Sequence, residues 1–262
     1  VGLYVAESGP ASGIPVIFLH GAAASGSMWD AQSRYLANDL RCLVVDLPGH
    51  GESVNVAWES LDDAARRVAD VIEGRAGGRA SVVGLSLGGY VAIHLGQAAP
   101  HLVAGMIVSG VSVVPASFGT RVWQRGQLMA RYTSVRRLVS PATRTVGGHD
   151  SGADDRPDPA AALPRMISKR IADEVINFRL PDRPPQFDCA LLAVAGEHES
   201  REVLGSLRPL ADRFTPSWAK YVPEAGHAWH VEQPELFNAM VHSWVTERLL
   251  PPKLRDPEPW MG

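Results

Sequence analysis

The 262-residue chain holds only two cysteines, Cys42 and Cys189, too few for a disulfide scaffold. Their neighbours Leu43, Val44, Ala190 and Leu191 set both in apolar runs, which predicts two buried free thiols. Neither sign of charge dominates, since 25 Lys and Arg stand against 28 Asp and Glu for a formal net charge of -3. That balance gives no electrostatic ground to expect a nucleic-acid or anionic-membrane partner. Long apolar runs are missing too. The longest stretch free of both charged residues and histidine, 102–120, is broken by Pro115 and several Ser and Gly, so no membrane span is expected. The chain opens at Val1 without the basic and apolar segments of a secretory leader, and a cytoplasmic location is the default expectation.

What the chain does hold is 45% hydrophobic residues, enough for one sizeable core. Short β-branched runs alternate with longer helical stretches, the pattern of βαβ units and a parallel sheet. Strands are expected near 2–6, 16–19, 42–45, 82–85, 106–109, 191–195 and 220–222. Several are continuous apolar runs, as where helices cover both faces of a mostly parallel, twisted sheet. Ser60 followed by Asp62 and Asp63 predicts a capped helix running to the Gly77-Gly78 stop. Further helices are expected over 86–99 and 235–249.

The interval 113–183 departs from this rhythm. It is Arg-rich, broken by Pro, and contains the run Gly147-Gly148-His149-Asp150-Ser151-Gly152, a loop signal. It reads as an insertion, with helices over 118–137 and 160–178, between core segments 1–112 and 184–250. The Pro-rich tail 251–262 cannot continue a helix and should be extended.

Chemistry concentrates in four places. Gly84-Leu85-Ser86-Leu87-Gly88-Gly89 lies between an apolar strand and a helix. A G-x-S-x-G turn there exposes its Ser, and the helix N-terminus favours developing negative charge. Gly and Ser are common, so the pentapeptide is weak evidence apart from this context. His20-Gly21 closes another strand, and the small-residue loop after it could aim the Ala22 N–H to join that of Leu87 in an oxyanion hole. His227, in Gly226-His227 beyond the last strand, could reach back to Ser86 as base, with His230 as its decoy. Glu197 and Glu199 both follow the buried strand 191–195, and either could orient His227. Glu199 is preferred, and Ser86, acid, His227 is the chain order expected for a G-x-S-x-G turn.

Together these segments resemble the α/β-hydrolase superfamily over nearly the whole chain outside the insertion. Phe18-Leu19-His20-Gly21 matches its strand-His-Gly loop. Asp46-Leu47-Pro48-Gly49-His50-Gly51-Glu52-Ser53 matches its Asp-x-Pro-Gly-His-Gly-x-Ser string in full, the most specific of the signals. The nucleophile elbow falls on Ser86, the late Gly-x-x-Asp on 196–199, and the Gly-His on 226–227. Two departures stand out. Glu199 replaces the usual Asp, and the first strand here resembles the family's second.

The resemblance implies an α/β-hydrolase core, a catalytic set of Ser86, His227 and Glu199, and a cap formed by 113–183. Trp123, Met129, Tyr132, Met166, Phe178 and Trp229 become candidate pocket walls, although core packing competes for each. The implied activity is hydrolysis of a small, largely apolar carboxylic ester or lactone, a small-molecule substrate handled without metal or cofactor. Rival uses of the same Ser and His are lyase, carbon–carbon hydrolase, thioesterase and cofactor-free oxygenase chemistry, or a slow-turnover ligand sensor.

Overall fold

The computed structural model describes residues 2–114, 165–180 and 189–258. Its frame is a seven-stranded sheet: β1 (Val5–Ser8), β2 (Ile14–Leu19), β3 (Leu40–Val45), β4 (Ala80–Leu85), β5 (Val103–Ser109), β6 (Ala190–Gly196) and β7 (Ser217–Val222). The spatial order is β1-β3-β2-β4-β5-β6-β7. β1 lies antiparallel to β3 at one edge, with Val5 opposite Val45, and all other pairs are parallel.

Alternation along each strand builds two cores. Ile17, Leu19, Leu43 and Val45 point to one face, where α2 (Leu61–Arg75) and α3 (Leu87–Ala98) lie and contribute Val68, Ile72 and Val91. Val16, Phe18, Cys42 and Val44 point to the other. That face is covered by α1 (Asp30–Leu36) and by α8 (Pro234–Glu247), which supplies Phe237, Met240 and Trp244. Both faces are therefore dry, which is why these strands read as unbroken apolar runs. Cys42 and Cys189 are both buried, and no disulfide joins them.

The helix ends follow local chemistry. Ser60 Oγ accepts the Asp63 N–H at 3.0 Å, with Asp62 and Asp63 in the first turn of α2. Pro234 occupies the first turn of α8, where a missing N–H costs nothing. In the segment expected to be an insertion, α4 (Arg165–Ile176) falls inside the expected helix 160–178, of which 160–164 lie outside the described residues. Short helices α5 (Arg201–Leu204), α6 (Leu207–Ala211) and α7 (Trp229–Glu232) complete the set. The tail docks on the sheet edge, where Tyr221 and Arg255 exchange backbone hydrogen bonds of 2.8 and 2.9 Å and Leu254 is buried. Among the described residues, no helix is long and apolar enough to cross a membrane.

The strand order reverses at β2, which lies between β3 and β4. In open α/β sheets the crevice beyond the carboxyl ends of strands at such a switch point is where ligands bind. The four chemical segments all emerge from that edge: His20 after β2, Ser86 after β4, Glu199 after β6 and His227 after β7.

Candidate active site

Ser86 sits between β4 and α3 with φ +52° and ψ -114°, a backbone conformation costing about 1–3 kcal/mol for a side chain with a Cβ. The turn is held by its surroundings. The Ser86 N–H donates to Ser109 O at 2.8 Å, and the Gly88 N–H donates to His20 O at 3.0 Å. At about 1 kcal/mol net apiece, such bonds offset the strain. A side chain at Gly88 would collide with the backbone of Leu19, so only glycine lets α3 start this close to β2. Ser86 itself is half-buried.

The Gly89 and Tyr90 N–H groups return to Ser86 O, at 2.9 and 3.2 Å. Among the described residues, no hydrogen bond takes up the N–H of Leu87 or of Ala22. The Ala22 loop is close by, since a Cβ built on Gly21 would lie 3.7 Å from Ser86 Cβ. His20 fixes that loop from below. Its Nε2 accepts the Leu47 N–H at 3.0 Å, which leaves the ring proton on Nδ1 to donate to Gly21 O at 2.8 Å. Burial lowers the His20 pKa to about 4 and, with the charge of His20, that of His50 to about 3; the two rings lie 4.9 Å apart. Both are structural, neutral histidines. Asp46 completes the platform, accepting the Gly26 N–H at 2.6 Å and the Glu52 N–H at 2.8 Å.

On the other side, His227 Nδ1 lies 2.7 Å from Glu199 Oε1. A carboxylate oxygen only accepts, so Nδ1 carries a proton, and in the neutral imidazole Nε2 keeps its lone pair. The Glu199 carboxyl is almost wholly enclosed, with 7% of its side chain exposed against 26% for His227. Gly110 passes directly beneath the pair. A Cβ on it would come within 2.8 Å of His227 Cε1 and 3.0 Å of Glu199 Oε1, and its φ is +64°. Gly110 directly follows Ser109, whose carbonyl holds the Ser86 N–H, so elbow and imidazole share one support. The hydrogen bonds of the described residues include the His227–Glu199 pair but none from Ser86 Oγ. Contacts of that kind often tighten only with substrate present.

Glu197 is elsewhere. Its Oε2 accepts the Glu224 N–H at 2.8 Å, so of the two carboxylates only Glu199 touches the imidazole. His230 lies behind the site, its ring 4.9 Å from Trp29 and 6.0 Å from Phe237. Burial lowers its pKa to about 4.

One expected pocket wall is corrected. Trp229 has no exposed surface. It donates from Nε1 to Ser109 Oγ at 3.0 Å and packs on Phe237, a core residue beneath the site. Phe178 packs edge-on against Tyr90 and His94, with 7% exposed. Apolar rings this large gain most by full burial. Met166 falls in α4, but its side chain lies outside the described residues, as do Trp123, Met129 and Tyr132.

The residues that sequence reasoning missed are supports. Tyr90 O–H donates to Ser112 O at 3.0 Å and accepts the Ser112 N–H at 2.9 Å. Burial pushes its pKa up to about 12, keeping it a donor. Ser206 Oγ accepts the N–H groups of Val113 and Val114 at 2.7 and 3.2 Å. Ser109 joins elbow to Trp229. None carries a local sequence signal.

Residues 16–240 match the alpha/beta hydrolase family. An AB hydrolase superfamily protein of Gibberella zeae is 29% identical over 251 residues, 91% of this chain and 82% of that protein. A pimeloyl-[acyl-carrier protein] methyl ester esterase of Nitrosomonas europaea is 41% identical over 161 residues, 60% of this chain and 62% of the relative. Among solved structures, an esterase from Exiguobacterium antarcticum superposes with a TM-score of 0.73 at 18% identity, covering 94% of this chain and 96% of that one. A strained Ser on a strand-to-helix turn, a His–carboxylate pair beyond later strands, and a family match over most of the length converge: the chain belongs to the alpha/beta hydrolase family.

Proposed function

We propose that the chain is a serine hydrolase cleaving a small, largely apolar carboxylic ester or lactone through an acyl-enzyme on Ser86. The observation that carries this reading is the 2.7 Å His227–Glu199 pair over Gly110, next to the elbow of Ser86. In this reading His227 Nε2 takes the hydroxyl proton as Ser86 Oγ bonds to the carbonyl carbon. The carbonyl π electrons move onto oxygen, where the N–H groups of Leu87 and Ala22 stabilise the charge. Collapse breaks the ester C–O bond, and the imidazolium returns its proton to the departing alkoxide. Water then repeats the cycle on the acyl-enzyme, releasing the acid. Glu199 holds the Nδ1 proton and offsets the imidazolium charge throughout.

The ester class is supported by the methyl ester esterase relative. An apolar acyl group is favoured because Ala22, Ala23 and Ala24 supply methyl groups and amides after β2 rather than charges. Segment 113–183 is assigned as the cap. Its helix α4 is fastened to the core where Trp58 Nε1–H donates to Glu174 Oε2 at 3.0 Å. Cap and crevice together would enclose a limited volume, which favours small substrates.

The test is fluorophosphonate labelling followed by a panel of p-nitrophenyl esters and lactones. Labelling and turnover should both disappear in Ser86→Ala. A Ser86→Ala protein that still labels and turns over at the wild-type rate refutes the nucleophile. An intact, labelled Ser86 with negligible ester and lactone turnover refutes the substrate class.

A further inference from the structure

Residues 223–228, which carry His227, form a loop between β7 and α7 with no regular backbone pairing of their own. Glu224 adopts φ +57° within it, a left-handed conformation unfavourable for a residue with a Cβ. Such a loop would relax unless its polar backbone atoms were tied down. They are tied in alternation. The Pro223 carbonyl accepts Gln233 Nε2–H at 2.8 Å, and the Glu224 N–H donates to Glu197 Oε2 at 2.8 Å. The Ala225 carbonyl accepts the His198 N–H at 2.8 Å, and the Gly226 N–H donates to Glu232 Oε2 at 2.7 Å. Lys253 Nζ in turn donates to Gln233 Oε1 at 2.9 Å.

The two N–H groups thus end on two carboxylates that arrive from opposite directions. Glu197 comes from the acid loop after β6, two residues before Glu199. Glu232 comes from α7, just beyond the histidine. Ala225, between the two bonds, is fully buried and cannot swing. Both bonds lie at the exposed side of the loop, and they are what satisfies its Glu224 and Gly226 N–H groups.

We propose that Glu197 and Glu232 are positioning residues that clamp the histidine loop by its Glu224 and Gly226 N–H groups, holding His227 against Glu199 and in line with Ser86. The proposal rests on the triad reading above. It assigns Glu197 a task other than that of triad acid, and it gives Glu232 a role in the reaction although neither carboxylate touches substrate. The clamp works through accepted hydrogen bonds, not net charge, so a glutamine carbonyl can replace it.

The experiment compares Glu197→Ala, Glu232→Ala, Glu197→Gln and Glu232→Gln in the full chain, using an ester that the wild type turns over. Misplacing a catalytic group by about 1 Å can cost about 100-fold, so each Ala variant should lose about 10- to 100-fold in kcat with KM unchanged. Each Gln variant should return to within about threefold of wild type. Amide exchange should accelerate at Glu224 in Glu197→Ala and at Gly226 in Glu232→Ala. Should an Ala variant not fold, the Met variant, of similar length but with only a weak acceptor, repeats the comparison.

Wild-type kcat in the Ala variants overturns the clamp. So does an equal loss in Gln and Ala variants, which would make charge the operative property, or a loss confined to KM or to the melting temperature. Ser86→Ala separates the layers. If it is inactive while the Ala variants keep kcat, only the clamp fails; if it is fully active, the triad reading fails first.

Discussion

At the residue scale the decisive contrast is between two glutamates that occupy one short loop. Glu199 and Glu197 both follow β6, yet the first points its carboxyl at an imidazole and the second at a backbone amide. The difference follows from the turn, whose Glu199 N–H bonds to Gly196 O at 3.1 Å and brings the third residue back over the sheet edge. The extra methylene relative to Asp is accommodated because Gly110 leaves the space beneath open. Glu199→Gln keeps the shape but presents an amide that can stabilise the wrong tautomer, and kcat should fall by about 10³- to 10⁴-fold. Glu197→Gln retains an acceptor for the Glu224 N–H and should stay within about threefold of wild type. Steady-state kinetics on one ester decide the point, and losses that are equal and small in both variants would remove position 199 from the mechanism.

At the scale of elements, α3 delivers two things to the site. Its N-terminus carries Ser86, and one turn later Tyr90 anchors the backbone of Ser112. The stretch 110–114 is therefore fixed by a helix in front of it and by Ser206 behind it. Tyr90→Phe leaves the half-buried Ser112 N–H without its acceptor, at a cost of about 1 kcal/mol. Urea denaturation should show that loss, and kcat should fall because Gly110 supports the His227–Glu199 pair. Unchanged stability would mean that Ser112 finds another partner.

The same elements explain what could be read from sequence. The central strands were legible because burial on both faces makes a run such as Val16-Ile17-Phe18-Leu19 uniformly apolar, whereas the partly exposed edge strands β1 (Val5–Ser8) and β7 (Ser217–Val222) were expected at 2–6 and 220–222, with only part of each overlapping. The helix α2 was legible because its cap, acids and stop are all local. Helices α1, α5, α6 and α7 were not, since segments of four to seven residues complete too few turns to show a period. Within the candidate site, Ser86, Glu199 and His227 stood out through short motifs. The supports did not, because Tyr90–Ser112, Val113–Ser206 and Trp229–Ser109 pair residues 22, 93 and 120 positions apart. Trp229 misled for a related reason. An aromatic residue near a candidate base reads alike whether it faces a crevice or the core, and only the packing of Phe237 and Ser109 decides which.

For the molecule as a whole, three buried histidines set how stability depends on pH. His20, His50 and His230 have pKa values lowered to about 4, about 3 and about 4, in each case chiefly by burial. In the unfolded chain all three titrate near 6.5. Between these limits the unfolded state binds more protons, so the stabilisation is fully present above about pH 6.5 and is lost as pH falls through the folded values. Each excluded proton is worth about 1.4 kcal/mol per pH unit. Glu174 acts in the opposite sense. Burial raises its pKa, so its contribution is present at low pH and lost as pH rises, but it is one group against three. Urea midpoints should therefore hold steady from about pH 6.5 to about pH 8 and fall steeply from pH 6 to pH 4.5. His230→Phe tests the assignment, because a phenyl ring suits the packing between Trp29 and Phe237 and removes one titrating group. Its stability should fall with pH by about one proton less than wild type over the same range. An unchanged slope in that variant would mean that the folded protein already accommodates a charged His230, and the acid sensitivity would then belong to other groups.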